Sequence, residues 1–209
     1  MSCTQKPEGP DFRGSTGYGE EFEKRSIGDW GGGDLRDVIA AADYLESTGQ
    51  VDPDRIALLG GSYGGYLMLM AMARAPERWA AGVNLFGFVD LETFYSSAKG
   101  WMQKWIEDQI GSPEENPEFY HCRSPITHCA EIKAPLLMLQ GAKDECVPLS
   151  QAEQLKDRMK SNGRECRLKV YKDEDHFFQK EATQIDVMRT VLEFLDRYAA
   201  KGWLEITDK

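Results

Sequence analysis

Apolar and polar positions follow two rhythms along this chain, and the rhythms take turns. Asp34 to Ser47 (DLRDVIAAADYLES) repeats its apolar residues at helical spacing, with Gly49 just past its end as a terminator. The turn VDPDR leads into a short apolar run, Ile56 to Leu59, that predicts a buried strand. Tyr66 to Arg74, rich in Leu, Met and Ala, predicts a helix that stops before Pro76. Trp79 to Phe88 and Ala134 to Gly141 predict further strands, Ser150 to Lys160 a helix, Cys166 to Tyr171 a strand, and Glu181 to Ala200 a closing helix. Between them Phe94 to Ile132 breaks the rhythm: three prolines, two tryptophans and scattered charges predict an irregular insertion of short helices and loops, 94–132. Alternation of this kind is the mark of an α/β fold, a mostly parallel sheet with helices on both faces.

Composition narrows the class. A chain of 209 residues, 41% of them hydrophobic, suits one domain spanning 1–209 with one substantial core. The formal charge of −10 argues against nucleic acid or an anionic membrane surface as a partner, because either would repel most of the surface. No apolar run approaches a membrane span, and the polar start MSCTQKPEGP lacks the apolar region of a signal peptide, so a cytoplasmic location is expected. Cys3, Cys122, Cys129, Cys146 and Cys166 are odd in number and form no C-x-x-C, which speaks against a disulfide framework. HCRSPITHC places His121, Cys122, His128 and Cys129 within nine residues. That could hold zinc, but the spacing fits no common finger or ribbon, and free thiols are the preferred reading. No metal or cofactor is expected.

Candidate chemistry lies where strands end. RIALLGGSYGGYLMLMAMARAP sets Gly60, Ser62 and Gly64 between an apolar run and an amphipathic helix, the G-x-S-x-G spacing of a nucleophile elbow. A Gly-rich turn capped by serine is the plainer alternative. A serine hydroxyl needs a base, and the base needs an orienting group. In parallel sheets chemistry gathers at the carboxyl ends of strands. After APLLMLQG comes Asp144, and after CRLKVY comes His176, giving the chain order Ser, Asp, His of the α/β-hydrolases. Asp144 could instead be a turn former, and Asp173, Glu174 and Asp175 a solvated acidic loop. His121 and His128, in the irregular region, are the other candidate bases, but neither follows a strand.

Taken together, FRGSTGYG, GDWGGGDLRDV, VDPDRIALLGGSYGGY, SPITHCAEIKAPLLMLQGAKDECVPLSQAEQL and YKDEDHFF resemble, in order and across nearly the whole chain, the prolyl oligopeptidase family of serine peptidases, especially its acylaminoacyl-peptidase and dipeptidyl-peptidase branches. The resemblance implies an α/β-hydrolase domain with Ser62 as nucleophile, His176 as general base and then acid, and Asp144 holding the imidazole. It implies the backbone N–H of Tyr63 as an oxyanion donor, and Tyr63, Phe88, Leu91, Phe94 and Val147 as lining for the acyl-side residue of a short peptide or ester substrate. Two departures stand out. Asp175 and Phe177 flank His176 where the family has glycines, and only MSCTQKPEGPD precedes Phe12, where family members carry a β-propeller, the first strands of the sheet and a His-Gly-Gly segment of the oxyanion hole. The expectation is therefore a hydrolase domain without those opening strands and with one identifiable oxyanion donor, for which an esterase or a weakly active fragment are the alternatives. The strand at Arg55 to Leu59 would be an edge, paired in a homo-oligomer or with a partner chain that covers it.

Overall fold

The computed structural model describes residues 9–49 and 51–199. In chain order its elements are α1 (Glu20–Glu23), α2 (Gly33–Ser47), β1 (Ala57–Gly61), α3 (Tyr63–Arg74), β2 (Ala81–Leu85), α4 (Leu91–Ser97), α5 (Trp101–Ile110), α6 (Pro117–Cys122), β3 (Leu136–Gly141), α7 (Leu149–Ser161), β4 (Cys166–Tyr171) and α8 (Glu181–Tyr198). Short 3₁₀ turns occupy Lys24–Ser26, Pro53–Arg55 and Pro125–Glu131. Cys3, the first eight residues and the Ala200 end of the expected closing helix lie outside the described residues.

The four strands form one parallel sheet in the order β1-β2-β3-β4, with Leu59 opposite Val83, Val83 opposite Leu137 and Leu137 opposite Arg167. Each parallel step needs a crossover, which is why every strand is followed by helix. β3 shows the layering most clearly. Leu136 and Met138 point into a core with Leu155 and Met159 of α7 and the apolar residues of α3, while Leu137 and Leu139 point into a second core with Val187, Val191 and Phe194 of α8. Alternate residues of a strand face opposite sides, so a strand covered on both faces must be apolar throughout, as β3 is from Leu136 to Leu139.

The outer strands differ. β1 has a neighbour on one side among the described residues, and Leu59 in its middle is 55% exposed, against 3% for Leu137 in β3. The segment 94–132, expected as short helices and loops, runs through α4, α5, α6 and the 3₁₀ stretch. The Asp90 carboxylate caps α4 by accepting from the N–H groups of Glu92 (3.0 Å) and Thr93 (3.3 Å). Gln151 of α7 secures the preceding loop, its side-chain oxygen accepting from Val89 N–H at 2.9 Å and Asp90 N–H at 3.0 Å. Two of the three prolines start elements rather than break them: Pro117 and Pro125 each stand in the first turn of a helical segment, where a missing N–H costs nothing.

Candidate active site

Ser62 sits between the last residue of β1 and the first of α3, with φ 51° and ψ −117°. A non-glycine residue with positive φ is strained and persists only where its surroundings hold it. Here its N–H donates to Leu85 O at 2.9 Å and its carbonyl accepts from Tyr66 N–H at 3.0 Å, which ties the elbow to β2 and to the first turn of α3. Gly60 permits the turn: a Cβ there would lie 2.2 Å from Gly64 O.

The expected partners arrive from the ends of β3 and β4. His176 Nε2 lies 3.0 Å from Ser62 Oγ, and His176 Nδ1 lies 2.8 Å from Asp144 Oδ2. With Nδ1–H donating to the carboxylate, Nε2 is left to accept the serine proton. Asp144 is buried and fully engaged. Its Oδ1 accepts from the N–H groups of Cys146 (2.9 Å) and Val147 (2.8 Å), and its Oδ2 accepts also from Gln140 Nε2 at 2.8 Å. Four donors around one carboxylate compensate its loss of water. Burial, and then the charge of Asp144, push the nearby Cys146 thiol up, so it stays protonated beside the triad.

Three contributors escaped the sequence reading. Gln140, the seventh residue of the Ala134 to Gly141 run expected as a buried strand, also donates to Val147 O at 2.9 Å and so fixes the loop that carries Asp144. Phe86, directly after β2, has φ 45° and packs its ring 4.7 Å from the His176 imidazole, with Phe177 and Phe178 against its other sides. Glu174, for which a solvated acidic loop was the alternative, is buried. Phe86 lay inside the run Trp79 to Phe88 expected as a strand, so nothing in the sequence marked it as the first residue after β2.

Tyr63 follows the nucleophile as the first residue of α3, and the first N–H groups of a helix have no partner within it. The amide is therefore placed to meet negative charge developing near Ser62 Oγ. The Tyr63 hydroxyl donates to the buried Asp34 carboxylate at 2.5 Å, which also accepts from Leu35 N–H at 2.7 Å and Gly31 N–H at 3.2 Å. Burial pushes the Asp34 carboxyl up, and the Tyr63 hydroxyl pulls it partly back. Burial and that carboxylate drive the Tyr63 phenol far above its ordinary range, so it is a neutral donor. Phe88, Leu91, Phe94 and Val147 are all in the core, with Phe88 stacked on Phe94 at 4.4 Å and on Tyr66 at 4.8 Å. Only Phe88 among these four also has a ring contact with Tyr63, at 6.2 Å. The more open aromatic is Trp105, which reaches the cluster through Trp30 at 5.3 Å.

The His-Cys run points elsewhere. His128 Nε2 lies 3.0 Å from Arg74 Nη2 and 2.8 Å from Cys122 O, whereas the buried Cys129 thiol meets Asn162.

Comparison with known proteins gives the family. The sequence pattern of the prolyl oligopeptidase family matches residues 9–202. The chain belongs to that family. It is 32% identical over 175 residues to dipeptidyl aminopeptidase BIII of Pseudoxanthomonas mexicana, covering 81% of this chain and 25% of that protein. It is 29% identical over 198 residues to the acylamino-acid-releasing enzyme of Arabidopsis thaliana, covering 90% and 26%. Among solved structures, a puromycin-hydrolyzing peptidase of Mycobacterium tuberculosis superposes with TM-score 0.86 at 31% identity, covering 90% of this chain and 28% of that one. This prolyl oligopeptidase family chain thus spans about a quarter of the length of the curated relatives it matches. Among its described residues no helix is long and apolar enough to cross a membrane.

Proposed function

We propose that this chain is the catalytic part of a serine peptidase that cleaves short peptides, or aminoacyl and acyl-peptide bonds, through an acyl-enzyme on Ser62. The observation that carries the reading is the unbroken line Ser62 Oγ, His176 Nε2, His176 Nδ1, Asp144 Oδ2, with steps of 3.0 and 2.8 Å at its two hydrogen bonds. His176 takes the serine proton as Oγ attacks the substrate carbonyl, and returns it to the leaving amine. Water then enters by the same route in reverse and releases the acyl group. Asp144 keeps the imidazole in the tautomer that can accept at Nε2 and stabilises its cationic form. The Tyr63 N–H stands ready for the oxyanion. Relatives named as dipeptidyl peptidases and acylamino-acid-releasing enzymes support peptides as the substrate class. The test is hydrolysis of matched aminoacyl esters, acyl esters and amides by the wild-type chain and by Ser62→Ala. Cleavage of aminoacyl amides that disappears in the variant supports the reading; cleavage of simple acyl esters alone replaces the peptidase with an esterase, and turnover that survives in the variant overturns it.

We propose further that the β1 side meets a second copy of this chain. Asp186 and Thr190 of α8 bond to Tyr171 and Lys169 of β4, at 2.8 and 2.9 Å. The opposite flank of α8, carrying the exposed Ile185, Met188 and Leu192, therefore looks toward β1, where Leu59 is exposed and where Arg55 Nε donates to Ala199 O at 2.7 Å. Apolar side chains from strand and helix thus share one open flank beside an edge strand. A reducing, cytoplasmic setting is supported by the free thiols of Cys122, Cys129, Cys146 and Cys166.

A further inference from the structure

The loop between β4 and α8 carries His176 and has a carboxylate at its base that the mechanism does not use. Glu174 is 2% exposed. Its Oε2 accepts from Gln179 N–H at 2.7 Å and, at the long limit of 3.5 Å, from Lys180 N–H, and its Oε1 accepts from Thr183 Oγ1 at 2.6 Å. These bonds, the Thr183 hydroxyl foremost, hold the Glu174 carboxyl below the usual carboxylate range. Its backbone is tied as well. Its N–H donates to Tyr171 O at 3.3 Å, and its carbonyl accepts at 2.9 Å from the N–H of Lys143, the neighbour of Asp144. Gly141 lets this loop lie against β3, since a Cβ there would come within 2.3 Å of Asp175 O and 2.6 Å of Glu174 O.

The bond from Gln179 N–H closes residues 174–179 into a ring with His176 near its middle. Within that ring Phe178 takes φ 49°, a left-handed conformation that an aromatic residue avoids unless held, and buries its ring against Tyr171 (5.1 Å) and Phe86 (5.2 Å). No glycine flanks His176, so the sharp path of the loop has to be fixed by contacts.

We propose that Glu174 is a positioning residue: its carboxylate closes the 174–179 loop against the strain at Phe178 and so keeps the His176 imidazole in line between Asp144 and Ser62. The proposal rests on the reading of Ser62 and His176 as a working pair. The Glu174 carboxylate bonds to Gln179, Lys180 and Thr183 and to neither the Ser62 nor the His176 side chain, and its effect passes through the backbone of the loop. A residue that merely anchors the start of α8 would change stability and leave the imidazole in place.

The test uses the full chain and compares Glu174→Ala, Glu174→Gln and Thr183→Val with wild type. It reads kcat and KM on an aminoacyl p-nitrophenyl ester, thermal melting, and the strongly downfield proton resonance of the His176–Asp144 hydrogen bond. Displacement of a catalytic group by about 1 Å costs on the order of 100-fold, so kcat of folded Glu174→Ala should fall about 10- to 100-fold with KM changed less than about threefold. Its downfield resonance should broaden or vanish. Thr183→Val removes the α8 contact but keeps the bond from Gln179, and should lose stability while keeping kcat within about threefold and the resonance intact. If Glu174→Ala does not fold, Glu174→Gln carries the test, with a smaller loss of kcat and a broadened resonance expected. A folded Glu174 variant with wild-type kcat and an unchanged resonance overturns the proposal. If the wild-type chain shows the downfield proton but no turnover, the peptidase reading has failed, and the resonance of the variants still decides the role of Glu174.

Discussion

His176 works as a base only if one nitrogen is committed and the other is free to accept, and the commitment runs through Asp144 to residues outside the triad. Gln140 is the clearest of these. It donates to both Asp144 Oδ2 and Val147 O from a fully buried position. Gln140→Leu keeps the volume and removes both donors, leaving a buried carboxylate oxygen and a carbonyl one partner short, at a cost of about 1–3 kcal/mol. Urea denaturation should show that loss as a lower midpoint with unchanged slope, and ester turnover should fall with it; an unchanged midpoint would mean that water replaces the amide. The three triad residues were legible in the sequence because each follows an apolar run, and the run itself announces the strand. Gln140 and Glu174 were not legible, since their burial comes from what packs over them. A glutamine inside a strand and a glutamate between two aspartates look alike whether solvated or enclosed.

From α2 onward the expected strands and helices are present in kind and order, but their bounds differ: the strand expected over Trp79 to Phe88 is β2 at Ala81–Leu85, and the ends around Ser62 shift at glycines. The first strand was expected over Ile56 to Leu59 and the helix after it from Tyr66, but β1 continues through Gly60 and Gly61, and α3 starts at Tyr63. Glycine carries no strand or helix signal, so a motif that needs small residues hides the boundaries on both sides of it. Gly60→Ala puts a methyl group 2.2 Å from Gly64 O, a backbone atom that cannot swing away, and should cost on the order of 3 kcal/mol or more. A melting curve close to wild type would show that the elbow relaxes. The motifs FRGSTGYG and GDWGGGDLRDV, separate in sequence, meet through Arg13 and Asp37. Arg13 Nε donates to Oδ2 at 2.7 Å, Nη2 to Oδ1 at 2.6 Å and its N–H to Oδ2 at 2.9 Å. The Arg13 side-chain hydrogen bond holds the Asp37 carboxyl below its ordinary value. A depressed carboxylate stabilises the fold above its unfolded value, about 4, and that contribution is lost as pH falls through the folded value. Arg13→Ala should therefore melt lower than wild type at pH 7, with the gap closing in acid; a gap that is constant with pH would assign the loss to packing.

For the molecule as a whole, the sheet is well covered at β2 and β3 and open at β1. The same apolar pattern that announced a buried strand at Ile56 to Leu59 leaves Leu59 exposed among the described residues, because a run of apolar residues records what a strand needs and cannot show what supplies it. Association through that flank should appear in light scattering as a mass that rises with concentration above the 23.6 kDa of one chain. It should strengthen with salt, since copies carrying a net charge of −10 repel one another at low ionic strength. Leu59→Lys should shift the mass back toward one chain, and a monomer at every concentration and salt would rule the contact out. All of this serves one claim, that Ser62, His176 and Asp144 assemble a reactive nucleophile in this chain. Labelling with a fluorophosphonate probe, read by intact mass and by the labelled peptide, tests it most directly. The account predicts a single adduct on Ser62 that is lost in Ser62→Ala and His176→Ala and kept in His121→Ala and His128→Ala. A folded wild-type chain that takes no label, or a label that persists in Ser62→Ala, would contradict it.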